Sequence, residues 1–375
     1  MSQISLITPE ELRAKLAAGE PLRILDVRST SDFDEWRIPG STHVDAGSEL
    51  KVGGHAMVKA AAEGWPREVP VVTVCNQGQT SKVAAAGLAS MGFKVLSLVG
   101  GMRAWSEAWN VAEVKLPAGG ARIFQVRRTG KGCLSYVVIS GGQAAVVDPS
   151  VPCEVYELLA GEHGARICAV LETHVHADHV SRGHELARRT GAPIYIPAQD
   201  RVKLPFQPLV DGAEIRVGEA TIRCIATPGH TPESVSYLVD GAALLSGDTL
   251  FVEGVGRPDL KAEGDESRER ARLLYHSLTE RLFALAAEVI VLPCHSPEPL
   301  AFDGKPHAAT LAQARAASGM AGQTEGAFVS DVLSRIPPTP PNHLHIVRIN
   351  EGLDPAPDDL ASLEAGANRC AISVR

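Results

Sequence analysis

This 375-residue chain has no CxxC pair, and its seven cysteines (Cys75, Cys133, Cys153, Cys168, Cys224, Cys294, Cys370) are scattered and odd in number. A disulfide framework is therefore not expected. No window approaches the ~20 apolar residues of a membrane-crossing helix, and Met1 to Leu16 lacks the basic-then-apolar build of a signal peptide. A cytoplasmic protein without a membrane partner is the expectation. An excess of base is missing too. Lys and Arg number 36 against 44 Asp and Glu, for a net charge of −8 and a pI near 5.9. A nucleic-acid surface usually needs a basic stripe, so no nucleic-acid partner is expected. Internal repeats and low-complexity tracts are absent apart from Pro337-Pro338-Thr339-Pro340-Pro341, which reads as extended. What is present is length and 45% hydrophobic content, ample for two globular domains.

The first stretch alternates helix and strand signals. Thr8-Pro9-Glu10-Glu11 offers a cap, a proline at the first helical position and acids in the first turn. Residues 22–27 and 69–74 read as strands, 81–91 as an alanine-rich helix, and 93–98 as a further strand closed by Gly100-Gly101. Strands spaced by helices imply a small parallel α/β domain. Pro117-Ala118-Gly119-Gly120 reads as a linker. After it the pattern restarts with β-rich sequence at 122–126, 135–140 and 144–147, which favours a second domain. The expected division is 1–116, a linker at 117–120, and 121–375.

Cys75 stands where the strand 69–74 ends. Asn76, Gln77, Gly78, Gln79, Thr80 and Ser81 form a tight loop that opens the following helix. Free backbone N–H groups and the helix dipole there favour an anion, hence the thiolate, which suits sulfur or phosphoryl transfer. Cys133, Cys168, Cys224 and Cys370 lie in apolar contexts and read as small buried residues.

Around this loop the chain resembles the rhodanese family, over roughly residues 4 to 110. Leu25-Asp26-Val27-Arg28, Glu35-Trp36-Arg37-Ile38-Pro39-Gly40-Ser41 and Leu98-Val99-Gly100-Gly101-Met102-Arg103-Ala104-Trp105 fall in the family's order. The resemblance implies that Cys75 accepts a sulfane sulfur and passes it on, with Asp26 and Arg28 structural. The loop's six-residue length is similar to that of the sulfurtransferases. It departs from the thiosulfate-using pattern in carrying no Arg or Lys.

A second constellation begins after the apolar run 167–171, with Thr173-His174-Val175-His176-Ala177-Asp178-His179. Four metal-capable side chains within six residues have few uses other than holding a transition metal. Further strands deliver Thr227-Pro228-Gly229-His230, Ser246-Gly247-Asp248 and Pro293-Cys294-His295 at their carboxyl ends. Ligands converging at strand ends are how an α/β scaffold builds one pocket.

The order HxHxDH, then His, Asp and His, resembles the metallo-β-lactamase superfamily, whose fold is an αββα sandwich. The resemblance covers about residues 121 to 375. Gly254-Val255-Gly256-Arg257-Pro258-Asp259 and Leu274-Tyr275-His276-Ser277-Leu278 are similar to stretches of its persulfide dioxygenase branch, although Pro258 replaces a Thr. This branch implies one Fe(II) held by His174, His230 and Asp248. His176, Asp178, His179 and His295 would then be supporting groups or remnants of a second metal site. Arg257 is expected either to hold an anionic part of the substrate or to brace Asp259, and Tyr275 to line the substrate. The implied reaction turns a persulfide, with glutathione as the expected carrier, and O₂ into sulfite and thiol. Thiosulfate or sulfite would be partners of Cys75. Domains of this kind often pair, so a homodimer is also expected. The alternative is a binuclear zinc thioesterase like glyoxalase II, using all seven ligands with two zinc ions.

Overall fold

The computed structural model describes residues 4–116, 120–260, 262 and 264–373, so residues 117–119 of the expected linker lie outside them. The first half is a five-stranded parallel sheet of β1 (Ser5–Ile7), β2 (Arg23–Asp26), β3 (Thr42–His43), β4 (Val71–Val74) and β5 (Val95–Leu98). Its order is β1-β5-β4-β2-β3. Thr8 caps the first helix, Pro9–Ala17: its Oγ1 accepts from the Glu11 amide, and the Glu11 carboxylate accepts from the Thr8 amide. Central β4 is buried along its whole length, as parallel strands covered on both faces are. Val71 packs with Leu25 and Leu88 on one side, and Val72 and Val74 with Met102 and Trp105 on the other.

The second half stacks two sheets. The first contains β6 (Asn110–Val114), β7 (Arg122–Arg128), β8 (Cys133–Ser140), β9 (Gln143–Val147), β10 (Arg166–Leu171), β11 (Ile194–Pro197) and β12 (Gln207–Leu209), hydrogen-bonded in sequential order. Strand β6 precedes the linker in sequence yet pairs antiparallel with β7, so residues 110–114 form the edge of the second half's sheet. Facing it are β13 (Glu214–Val217), β14 (Ala220–Ala226), β15 (Val235–Val239) and β16 (Ala243–Gly247). Short β17 (Leu250–Phe251) and β18 (Gly254–Gly256) follow. Then β19 (Ile290–Pro293) and β20 (Ala309–Thr310) complete the facing sheet, and β21 (Ala371–Ser373) returns to pair with β18.

Side-chain alternation makes the layers. On β8, Leu134, Tyr136 and Val138 point into the space between the sheets, while Val137 and Ile139 pack with Tyr156 and Leu159 of the helix Cys153–Glu162. On the other sheet, Tyr237 faces inward, and Leu238 faces outward onto Leu274 and Leu278. The result is the expected αββα sandwich. Each fully buried aliphatic chain contributes about 1.5–3 kcal/mol relative to exposure. Among the described residues no helix is long and apolar enough to cross a membrane.

A buried cation ties the two halves together. The Arg128 guanidinium donates to Glu107 at 2.6 Å, to the Ser106 carbonyl at 2.9 Å and to Glu364 at 2.6 Å. Ser106 and Glu107 follow the helix Gly101–Trp105 of the first half, and Glu364 ends a helix near the carboxyl terminus. A charge this deeply buried is tolerable only when paired on several sides.

Candidate active site

Two reactive centres take shape, one in each half. Cys75 leaves β4 into a loop closed by the helix Thr80–Ala89. Its Sγ lies 3.1 Å from the Gly78 amide and 3.4 Å from Ser81 Oγ, which also receives Ser97 Oγ at 3.0 Å. Burial alone would push the thiol up. The Ser81 and Thr80 hydroxyls, with the Ser81 and Gln77 amides, outweigh it and hold the pKa below that of an ordinary thiol. The loop is clamped from behind: Cys75 and Asn76 carbonyls accept from the Met102 and Arg103 amides. Gly101, at φ 58°, must be glycine here, because a Cβ would lie 2.1 Å from the Cys75 oxygen. Asp26 and Arg28 form a buried bidentate pair and do not contact the sulfur.

In the second half the strand ends deliver their residues to one buried cluster. His174, His176, Asp178 and His179 follow β10, His230 follows β14, Asp248 follows β16 and His295 follows β19. They do not form one undivided set. His174 Nε2 and His230 Nε2 both face Asp248 Oδ2, at 3.6 and 3.5 Å. Each imidazole is oriented from its other nitrogen: His174 Nδ1–H donates to Thr173 Oγ1 at 2.9 Å, and His230 Nδ1–H to the Arg257 carbonyl at 2.8 Å. Thr173 is in turn fixed by Asp148, which accepts from its amide at 2.7 Å and its hydroxyl at 2.9 Å.

His176 turns elsewhere. Its Nε2 sits 3.2 Å from Asp148 and 3.1 Å from Glu172. Asp178, His179 and His295 form a third group: Asp178 contacts His179 at 3.1 Å and His295 at 3.0 Å, while the other nitrogen of His295 lies 2.6 Å from Asp248 Oδ1.

Charge follows this partition. Burial, reinforced by the neighbouring imidazole of His176, holds His174 well below the usual imidazole range, and burial lowers His230. Both are neutral, with a lone pair on Nε2. Burial also opposes charge on His176 and His295. For His176 this is overcome by Asp148 and Glu172, and for His295 by Asp178 and Asp248, so both are raised well above the usual range. Burial would raise Asp248, but His295, His174 and His230 hold it far down.

The donor set fits a metal ion. His174 Nε2 and Asp248 Oδ2 are buried without a protein hydrogen-bond partner, and with His230 they lie within 4.8 Å of one another. Buried polar atoms that converge without partners are costly unless something binds between them. His179 Nε2 is likewise unpartnered beside a second group of Cys133, Asp178, His179 and His295.

Several expectations change at this point. Cys133 is no inert filler, since its Sγ lies 3.3 Å from Asp178 Oδ2 and 3.8 Å from His179 Nδ1. Cys370 groups with Asp248 and His295. Arg257 is fully buried: it grips Asp259 at 2.7 and 2.8 Å and donates to the Pro338 and Arg369 carbonyls, so of the two expected roles the structure gives it the brace. Tyr275 does not line the cluster, because its ring packs on Phe328 and its hydroxyl donates to the Gln323 carbonyl. Sequence reading also missed Asp148, Glu172 and Asn350. Asn350 donates to the His176 and His179 carbonyls at 2.8 and 2.9 Å, clamping the loop from the helix His343–Asn350.

Comparison with known proteins follows the same division. The rhodanese-like domain model matches residues 8–108, and the metallo-beta-lactamase superfamily model matches residues 128–295. A probable metallo-hydrolase, YqgX of Bacillus subtilis, is 31% identical over 185 residues, spanning 44% of this chain and 85% of that protein. The chain belongs to the metallo-beta-lactamase superfamily, with a rhodanese-like domain ahead of it. A hydroxyacylglutathione hydrolase of Methylococcus capsulatus is 42% identical over 157 residues, or 41% of this chain. The chain spans 57% of that hydrolase's length. The crystal structure of ETHE1 from Myxococcus xanthus superposes with a TM-score of 0.53 at 28% identity, covering 61% of this chain and 98% of that one. The metallo-beta-lactamase half is therefore a metal-binding scaffold whose reaction its own residues must decide.

Proposed function

We propose that this chain oxidises a thiol-borne persulfide with O₂, and that Cys75 carries sulfane sulfur into or out of that cycle. One persulfide anion, one O₂ and one water would give the free thiol, sulfite and a proton. The observation that carries this reading is the convergence of His174, His230 and Asp248 as one group, while the Nε2 of His176 meets Asp148 and Glu172. Two imidazoles and one carboxylate leave positions open for two further ligands, the arrangement of non-haem iron oxygenases. Fe(II) held by His174 Nε2, His230 Nε2 and Asp248 Oδ2, one per chain, would supply the electronic means for O₂ to react with a closed-shell sulfur anion. The likeness to ETHE1 supports the same branch.

The remaining work falls to the chain. Asp148 and Thr173 keep His174 in the tautomer with a free Nε2, and the Arg257 carbonyl does the same for His230. Beside His174 and His176 opens a cavity of about 430 Å³, walled by Val175, Ile196, Val202 and Leu204 with Asn350 at its edge. The apolar side chains would shield the sulfur end from water, and Ser181, His184, Asn350 and Asp354 of the same lining offer polar contacts for the body of a carrier thiol such as glutathione. Metal analysis of the purified protein, with oxygen uptake on glutathione persulfide, is the test. Iron near one per chain and persulfide-dependent uptake are expected. Near-stoichiometric zinc with no uptake would sink the proposal.

A second reading is supported by the name of a close relative in sequence, a hydroxyacylglutathione hydrolase. Here two zinc ions would occupy the cluster, with Asp248 between them, and the substrate would be a glutathione thioester. Two metals per chain and thioester hydrolysis without oxygen uptake would favour it. His176 would join it through Nδ1, which is buried without a protein partner while Nε2 meets two carboxylates.

A further inference from the structure

The loop of Cys75 brings no cation of its own, yet a sulfane donor of the thiosulfate kind carries two negative charges. Its outer sulfur reacts, and its sulfonate end must be held. The space next to the loop offers a solution. Cys75 opens into a mouth that shares Arg28, Asp32, Asn76 and Gln77 with a larger cavity of about 480 Å³. The far wall of that cavity belongs to the metallo-beta-lactamase half and includes Lys131 and Arg369.

Four cations line this cavity, and three are already matched to carboxylates: Arg28 to Asp26, Arg103 to Asp359 and Arg369 to Glu35. Lys131 differs. It is only 6% exposed, and its ammonium donates to the Glu364 carbonyl at 2.7 Å. A lysine has three donors, and this bond uses one of them while the side chain lines the cavity. The acids on the same wall are engaged. Asp178 is held by His179, His295 and Asn368, Glu364 by Arg128 and the Val180 amide, and Asp32 by Asn76. Lys51 stands in the Cys75 mouth itself, but it is exposed and shares that mouth with Asp32 and Asp45, so solvent and acids screen it.

We infer that Lys131, from the metallo-beta-lactamase half, holds the sulfonate end of a thiosulfate-type dianion whose outer sulfur faces Cys75. The sulfur-transfer site is then complete only where both halves meet. In the step it serves, the Cys75 thiolate attacks the outer sulfur and a new S–S bond forms. The bond between that sulfur and the sulfonate breaks, and its electron pair leaves with sulfite. Charge balances at −3 on each side. Lys131 touches the donor's charged end and none of the breaking bonds, so it acts on binding and orientation.

This inference rests on the reading that Cys75 carries sulfane sulfur, and the experiment separates the two. Full-length protein is assayed for sulfur transfer to cyanide from thiosulfate and, separately, from neutral dimethyl trisulfide. Lys131→Met is expected to raise KM for thiosulfate about tenfold, the effect of losing one charge-assisted hydrogen bond. Transfer from the trisulfide should hold, and Lys131→Arg should recover most of the thiosulfate KM. An unchanged thiosulfate KM in Lys131→Met, or an equal loss with both donors, overturns the inference. A Cys75→Ser variant that still transfers sulfur overturns the underlying reading instead.

Discussion

Replacing Thr173 by Val should weaken metal binding while leaving the fold intact. Valine has nearly the shape of threonine, so the packing around the residue is kept and only the hydroxyl goes. Two hydrogen bonds go with it: the one Oγ1 donates to Asp148 at 2.9 Å, and the one it accepts from His174 Nδ1–H at 2.9 Å. The backbone bond from the Thr173 amide to Asp148 at 2.7 Å remains. A bond to a charged partner contributes about 1.5–3 kcal/mol and a neutral one about 0.5–1.5. The first loss bears mainly on stability, because Asp148 is left short of a donor in a buried place. The second bears on the metal, because the ring of His174 is freed to turn and its Nε2 is no longer fixed toward Asp248. Losing such an orienting partner typically costs 10–100-fold in metal affinity, or about 1.4–2.7 kcal/mol. Anaerobic titration of metal-free protein with Fe(II) against a competing chelator measures this directly, and Zn(II) gives a second readout independent of the oxidation chemistry. Thr173→Ser keeps both bonds and should bind within about threefold of the parent, a margin of ~0.65 kcal/mol. If Thr173→Val also binds within that margin, the chain from Asp148 through Thr173 to His174 does not prepare the site.

Two further substitutions test the two centres. Ser81→Ala removes the hydroxyl 3.4 Å from the Cys75 sulfur. Because that hydroxyl stabilises the thiolate, its loss moves the thiol pKa up, and the midpoint of the iodoacetamide alkylation profile should shift to higher pH; a midpoint that stays or falls refutes the assignment. Arg257→Lys keeps a positive charge but loses the planar fork that grips Asp259, which should cost about 2–4 kcal/mol of stability in denaturant unfolding. It should also weaken metal binding through His230 while leaving KM for the persulfide unchanged; a raised KM with unaltered stability and metal binding would return Arg257 to a substrate role.

The parts of the fold that repeat a local pattern were legible. Strand β14 ends directly before Thr227-Pro228-Gly229-His230, as expected, and Thr8 caps its helix with the reciprocal Glu11 contact. The Cys75 loop and the clustering of seven His and Asp side chains were also legible, because each sits at the carboxyl end of an apolar run and such ends gather on one sheet edge. What escaped notice depends on long-range neighbours. Cys133 lies 45 residues before Asp178, in an apolar context that reads as plain core, and only the place of β8 beside the His loop brings the two together. Strand β6 looked like the tail of the first domain, because nothing in Asn110–Val114 announces that its partner lies across the linker. Arg257 left two roles open because a motif tells of a guanidinium but not of where it points. Burial and four hydrogen bonds decide that.

The number of metals illustrates the same limit. HxHxDH guarantees that four groups meet at one strand end, but it does not say which atoms face one another. That is decided by Asp148, which lies 25 residues before Thr173 and sits in the left-handed region at φ 51°. Its Oδ2 accepts from the Thr173 hydroxyl that orients His174. Its Oδ1 faces His176, where with Glu172 it favours the imidazolium. The Nε2 of His176 is thereby engaged, while its Nδ1 stays buried without a protein partner, and the residue groups with Cys294 and His295. A metal would reach His176 through that Nδ1, which takes one proton from the ring and leaves Nε2–H on the two acids. One carboxylate therefore orients both histidines, His174 through Thr173 and His176 directly, and leaves a bare nitrogen on each ring.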